Sequence, residues 1–332
     1  MDATTGPGAT SRDARSMETL DSLGEFAAID QVTRGLTMSS AVSVGPGDDS
    51  AVFLVNGSAV VSTDLLIEGV HFRTEWSDAE HIGRKAVAVN AADLEAMGAT
   101  PVSMVLSLGA PGELPTSWLR EFATGVQQEA ERAGICLVGG DTTRARDITI
   151  NVTVIGQTEG REPVLRSGAR AGDVVAVKGR LGWAAAGLAV LARGFRSPRA
   201  AVGSQRCPQV PYGAGREAAA AGATAMLDVS DGLLADLGHI AQASGVVIDL
   251  DRARFEPDEP VRTVASAHGK DPMVFILTGG EDHAMAACFP PGSVPDDWQV
   301  LGQVRACESD EAPRVLVDGL PWQGSEGWDH FA

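Results

Sequence analysis

Apolar and polar positions divide the chain into two stretches of mixed helix and strand. In the first, Leu20, Leu23, Phe26, Ala27 and Ile29 recur near helical spacing and predict an amphipathic helix over 18–36. A turn-rich segment, Gly45-Pro46-Gly47-Asp48-Asp49, precedes short strand-like runs at 51–55 and 59–63. The pattern then predicts a helix over 78–97 stopped at Gly98, a strand at 102–108, a helix over 115–133, and strands at 135–138 and 148–155. Residues 160–173, rich in Gly, Arg and Pro, mark the crossover to the second stretch. There the pattern predicts a strand at 174–177, helices at 182–192 and 213–221, and a run at 226–229 leading into a helix at 231–243. Strands follow at 246–250, 284–289, 298–304 and 314–317, and residues 195–212 read as an exposed loop. The expected architecture is α/β (α+β), with a tail (1–20), an N-terminal sheet domain (21–158) and a C-terminal α+β domain (159–332).

Composition narrows the function classes. A chain of 332 residues has room for two cores. The 26 lysines and arginines face 44 aspartates and glutamates, a net charge of −18, which works against generic binding to nucleic acid or anionic membranes. An anionic substrate on such a protein needs cations to bridge it. The longest apolar stretch, 181–192, is 12 residues, short of the about 20 that span a bilayer. The 4 cysteines form no Cys-x-x-Cys pair, which argues against a disulfide framework or a structural zinc site. The N-terminal segment has no apolar core of a secretory signal, so the expected compartment is the cytoplasm.

The informative acids lie inside apolar or glycine-rich runs. Asp64 ends the run 59–64, expected at the tip of a buried strand. Asp93 shares a helical face with Val89 and Met97. Asp141 follows a strand that runs into a glycine turn at Gly139-Gly140, Asp228 and Asp231 bracket Val229-Ser230 at a strand-to-helix junction, and Asp48 and Asp49 follow Gly47. Each has an ordinary reading: Ser230 as a helix N-cap, Asp231 as a first-turn acid, Asp48 and Asp49 as turn formers, Asp93 as the partner of Lys85 or an arginine. Asp64 and Asp141 resist it, because an unpaired charge at the end of a buried strand costs several kcal/mol. One arrangement accounts for all of them, a polyphosphate site in which Mg²⁺ relieves the repulsion between carboxylates. Magnesium takes only one or two carboxylates plus phosphate oxygens, so five or six aspartates imply more than one ion, and an oxygen-only set suits Mg²⁺ better than zinc. The chain has no P-loop, no Gly-x-Gly-x-x-Gly after a strand and no kinase-type catalytic loop.

Eight motifs in order make the chain resemble the thiamine-monophosphate kinase family. They are Gly47-Asp48-Asp49-Ser50, Ser62-Thr63-Asp64 with Glu68-Gly69-Val70-His71-Phe72, the Lys85–Asn90 and Asp93–Ala99 run, Val138–Arg144, Arg166-Ser167-Gly168-Ala169, Asp228–Leu233, Gly279-Gly280-Glu281-Asp282 and Gly327–Phe331. The resemblance implies the aminoimidazole ribonucleotide synthetase-like fold, a homodimer formed through the N-terminal sheet, and direct phosphoryl transfer from ATP to thiamine monophosphate. It implies magnesium at Asp48, Thr63, Asp64, Asp93, Asp141, Asp228 and Asp231, with Ser62 as a further ligand and Asp64, Asp228 and Asp231 as the catalytic carboxylates. It implies ATP contacts from Gly140, Asp141, Arg166 and Ser230. His71, Glu281 and Trp328 are implied on the thiamine-phosphate side, where an indole face would attract the cationic ring. The acceptor is itself a phosphate, already anionic near pH 7, so no strong general base is required. The chain departs from the family pattern at His283-Ala284, where Tyr-Glu is usual. The alternatives are another ATP-using enzyme of the same superfamily and a non-catalytic acidic nucleotide- or metal-binding module. Against the first, the earliest cysteine is Cys136, too late for selenophosphate synthetase, and no cysteine stands at the C-terminus as a hydrogenase-maturation relative would need.

Overall fold

The computed structural model describes residues 18–47 and 50–327. In chain order the first group of elements is α1 (Leu20–Leu23), α2 (Glu25–Thr33), β1 (Val42–Val44), β2 (Val52–Phe53), β3 (Ala59–Ile67), α3 (Ala79–Ala96), β4 (Thr100–Ala110), α4 (Thr116–Ala133), β5 (Cys136–Arg144) and β6 (Thr149–Gln157). The second group is β7 (Val174–Lys178), α5 (Trp183–Ala192), α6 (Arg199–Arg206), α7 (Ala214–Ala220), β8 (Ala225–Asp228), α8 (Leu233–Ser244), β9 (Val246–Leu250), α9 (Glu259–Ala267), α10 (Pro272–Thr278), β10 (Met285–Phe289), β11 (Gln299–Ala306) and β12 (Arg314–Val317). Among the described residues no helix is long and apolar enough to cross a membrane.

The helix expected over 18–36 is two helices, because Gly24 at φ +81° breaks the ladder between α1 and α2. Glu18–Leu20, read from the sequence as the end of the tail, are hydrogen-bonded: Leu20 N–H donates to the Leu114 carbonyl (3.0 Å) and Thr116 N–H to the Glu18 carbonyl (2.9 Å).

The first sheet runs β3-β6-β4-β5, with β4 and β5 parallel and the other pairs antiparallel. Two strands are longer than their apolar runs. β3 continues through Asp64 to Ile67, so Asp64 lies within the strand and is exposed, where the sequence suggested a buried tip. Gly139 and Gly140 are strand residues, not a turn, because the ladder continues opposite Val105 and Leu106. A Cβ on Gly140 would lie 1.9 Å from the Leu106 carbonyl oxygen, so only glycine fits there. Helices α3 and α4 pack on the face carrying Leu66, Leu106, Ile150, Val152 and Val154. Val61 and Leu65, which alternate with Leu66 along β3, are 60% and 46% exposed.

Helix α3 is buried on nearly all sides. One side joins the first core, and Ala88, Ala92 and Ala96 meet Val210, Ala214, Met285 and Phe289 of the second half. Small side chains allow this double contact. The Glu95 carboxylate, near the end of α3, accepts from Gly213 N–H and Gly215 N–H (2.9 Å each) at the start of α7, where the helix dipole favours an anion. The second sheet runs β12-β9-β11-β7-β10-β8, and only β12 and β9 are parallel. The stretch 195–212 is not a simple exposed loop. It contains α6, whose Ala201 and Val202 are buried, and Gly187 lets α5 approach so closely that a Cβ there would lie 2.1 Å from the Ala201 carbonyl oxygen.

Candidate active site

Three carboxylates from three elements face one cleft between the halves: Asp64 on β3, Asp93 on α3 and Asp228 at the end of β8. Each is held by a neighbour. Asn90 on α3 accepts the Asp64 backbone N–H at 2.8 Å and donates to the Ala86 carbonyl at 2.9 Å. Ser62 Oγ donates to Asp93 Oδ2 at 2.5 Å, and His283 Nδ1 lies 2.8 Å from Asp228 Oδ2. Ser62 and Asp64 are two apart on β3 and point the same way, toward α3.

Their electrostatics are those of crowded anions. Burial, then the Asp228 and Asp64 charges, push the Asp93 carboxyl up to about 6, although the Ser62 hydrogen bond works the other way. Asp64 is also raised, first by the water its neighbours exclude, then by Asp228 and Glu281, with His283 and His71 opposing. Burial alone would lower the His283 imidazole, but its Asp228 hydrogen bond and the charges of Asp228, Glu281 and Asp93 push it up to about 9. His283 Nε2 is buried with no hydrogen-bond partner.

The Gly279–His283 turn is laced to the end of β8. Glu281 N–H donates to the Ser230 carbonyl at 2.7 Å and His283 N–H to the Val229 carbonyl at 2.8 Å. Gly280 approaches so closely that a Cβ would stand 2.4 Å from the Ser230 carbonyl oxygen. Glu281 and His283 both have left-handed backbones, φ +69° and +51°, a strain that tends to cluster at functional sites. Asp282 faces inward and caps α5, accepting from Gly182 N–H (2.5 Å) and Ala184 N–H (2.8 Å), while burial pushes its carboxyl up to about 7. Ser230 is not the N-cap of α8. The carboxylate of Asp236 takes the N–H groups of Asp231 and Gly232 (3.0 Å each), which leaves the Ser230 and Asp231 side chains free of capping.

A cavity of about 140 Å³ adjoins this turn, lined by His71, Trp76, Leu188, Ser230, Asp231 and Glu281. His71 Nδ1 accepts the Ile67 N–H at 3.1 Å. The Lys85 ammonium lies 2.5 Å from Glu281 Oε2. Partial burial pushes the Glu281 carboxyl up, but Lys85, His283 and His71 more than offset it and hold it below the usual range.

A larger cavity of about 760 Å³ lies against α2 and β5, lined by Ser50, Ala51, Phe53, Leu106, Gly140 and Asp141 among others. Asp141 is not in the trio's cleft: β3 and β5 are the two edges of the four-stranded sheet, three inter-strand spacings or about 14 Å apart. The Thr63 hydroxyl faces the opposite side of the sheet from Ser62 and Asp64, donating to the Val152 carbonyl at 3.0 Å. Arg166 is exposed in the crossover loop and lines neither cavity. Asp48 and Trp328 lie outside the described residues. Among the described residues no three His, Cys, Asp or Glu side chains form a ready-made metal cage.

Sequence reasoning passed over Asp236, met Asn90 only inside the Lys85–Asn90 motif and His283 only as a departure from the family pattern, and gave Lys85 no partner but Asp93. The signal for His283 was its departure from Tyr next to Gly-Gly-Glu-Asp. Asp236 gave none, since an acid near the start of a helix is ordinary.

Residues 47–158 match the family described as AIR synthase related protein, N-terminal domain, so the glycine-lined pocket and its four-stranded sheet are those of an AIR synthase-type domain. The full chain extends the likeness. It is 49% identical over 320 residues to the thiamine-monophosphate kinase of Mycobacterium tuberculosis, covering 96% of this chain and 95% of that protein. It is 40% identical to that of Corynebacterium glutamicum, covering 96% of each. A solved structure of AaThiL complexed with AMPPCP and TMP superposes with a TM-score of 0.77 at 34% identity, covering 94% of this chain and 98% of that one. The chain belongs to the thiamine-monophosphate kinase family.

Proposed function

We propose that this chain transfers the terminal phosphoryl group of ATP directly to the phosphate of thiamine monophosphate, giving ADP and thiamine diphosphate. The observation that carries the reading is the meeting of Asp64, Asp93 and Asp228 beside the cavity lined by His71 and Glu281. The cavity takes the acceptor, with Trp328 as a further contact. The larger pocket along β5 takes the nucleotide at Gly140 and Asp141, with Ser230 and Arg166 as its other contacts. Residues 21–158 and 159–332 form the two domains, and the cleft lies where they meet.

The donor set fits magnesium: it is oxygen-only, and the raised Asp64 and Asp93 carboxyls mark a repulsion that a divalent cation relieves. Bound Mg²⁺ supplies positive charge between two polyanions and on the leaving ADP. Asp64, Asp93, Asp228 and Asp231 would hold it in the cleft with Ser62, and Asp141, at the opposite edge of the sheet, would serve a separate ion. The chain's own residues do the positioning. His283 fixes the Asp228 carboxylate, Asn90 and Ser62 fix Asp64 and Asp93, and Asp236 frees Ser230 and Asp231 to face the phosphates. Among the described residues no group is placed as a Ser-His or Cys-His nucleophile, consistent with transfer in one step.

The test is ADP release with and without thiamine monophosphate, alongside acid-quenched protein from [γ-³²P]ATP turnover. Expected are ADP only with the acceptor and no acid-stable label on the protein. ATP binding without turnover would favour the non-catalytic module, and labelled aspartate would overturn the single step.

The uncovered face of the first sheet, with Val61 and Leu65, is the surface through which we propose that two copies pair. Light scattering is expected to give twice the chain mass, and Leu65→Asp to shift it toward monomer. A monomeric parent chain would end this proposal.

A further inference from the structure

We infer that Lys85 is a positioning residue that sets the acceptor side of the cleft, fastening Glu281 and the His71 loop to helix α3. The inference rests on the reading of His71 and Glu281 as acceptor contacts. Lys85 Nζ meets three acceptors from three separate segments: Glu281 Oε2 at 2.5 Å, the His71 carbonyl at 2.9 Å and, more weakly, the Gln205 carbonyl at 3.5 Å. Those partners belong to the Gly279–His283 turn, the loop after β3 and the end of α6, so one ammonium joins both halves of the chain.

Packing alone does not call for a lysine here. Lys85 is 2% exposed and among the largest fully buried side chains, and a buried ammonium is costly unless fully paired. A methionine would fill the same space without that cost. What the ammonium adds is direction. Glu281 projects from a left-handed backbone in the opposite half, and its side chain is 42% exposed, so the carboxylate is held on one oxygen while the group still opens to the cavity. The same ammonium holds the His71 carbonyl, and with it the loop whose imidazole lines that cavity. The Glu281 carboxylate and the His71 imidazole are thus set relative to each other through one charge on a rigid helix.

The test compares Lys85→Met, Lys85→Arg, Glu281→Gln and the Lys85→Met/Glu281→Gln double variant in the full chain. KM for thiamine monophosphate and for ATP are measured separately, alongside thermal denaturation. Lys85→Met is expected to raise KM for thiamine monophosphate about ten- to a hundredfold, with KM for ATP within about twofold. Lys85→Arg, which keeps the charge but not the compact geometry, is expected to show a smaller rise of the same selectivity. The double variant is expected to raise KM for the acceptor by less than the product of the two single effects, because both changes break the same Lys85–Glu281 contact. A purely structural lysine would lower the denaturation midpoint and move both KM values together or neither, and that result overturns the inference. If Lys85→Met does not fold, Lys85→Arg decides: an unchanged KM for the acceptor overturns the inference. Unchanged acceptor KM in Glu281→Gln overturns the acceptor-site reading and this inference with it. A raised KM in Glu281→Gln with none in either Lys85 variant overturns this inference alone.

Discussion

Asp64→Asn is expected to lower kcat by about a thousandfold or more at saturating magnesium, with the denaturation midpoint unchanged or higher. Asp228→Asn is expected to lower kcat alike but with a lower midpoint, because it takes away the charge beside buried His283. Asparagine keeps the size of aspartate, and at position 228 it can still accept from His283 Nδ1, so packing and the local hydrogen bond survive. What is lost is the negative charge that would hold magnesium. The stability sign at position 64 follows from the raised Asp64 carboxyl. A carboxyl raised in the folded state favours folding when protonated and opposes it once ionised, so removing that charge does not destabilise the fold at neutral pH. Steady-state turnover across a magnesium series, paired with thermal melts, measures both. Near-normal turnover of either variant at saturating magnesium would remove that aspartate from the metal site.

At constant Mg·ATP, turnover is expected to depend strongly on additional free magnesium, and the free magnesium needed for half-maximal rate is expected to rise as pH falls below about 6. The cause is Asp93, whose carboxyl is pushed up to about 6 by burial and then by Asp228 and Asp64. Above that pH the carboxylate is ionised and binds the cation without losing a proton. Below it a proton must leave first, so apparent affinity falls by up to about tenfold per pH unit for one competing proton. ADP release over a magnesium series at pH 5.5, 6.5 and 7.5 reads this directly. A half-saturating magnesium concentration constant across that range would show that Asp93 is not a ligand.

The difference between what could be read along the chain and what could not is clearest at single residues. Asp64 was noticed because a carboxylate ending an apolar run is anomalous, yet its exposure in mid-strand depends on which strand pairs beside it. Gly139-Gly140 looked like a turn because glycine is the commonest turn former. In the sheet these residues are strand glycines, required by the close Leu106 carbonyl. Helix α6 was hidden because its partner is α5, reached through Gly187, a contact that carries no periodic signal of its own. Asp141 carried the same motif strength as Asp64, but strand order put it on the opposite edge of the sheet.

Taken by itself, the amino-acid sequence determined the mixed α/β class, most helices and strands, the acidic character of the site and the family, because apolar periodicity and ordered motifs are local properties of a chain. The tertiary structure decided which acids face one another, that Lys85 meets Glu281 and not Asp93, and that His283 lies beside Asp228. Those outcomes depend on contacts between residues far apart in the chain, and the strength of a charge interaction follows distance and desolvation in space, neither of which sequence spacing encodes.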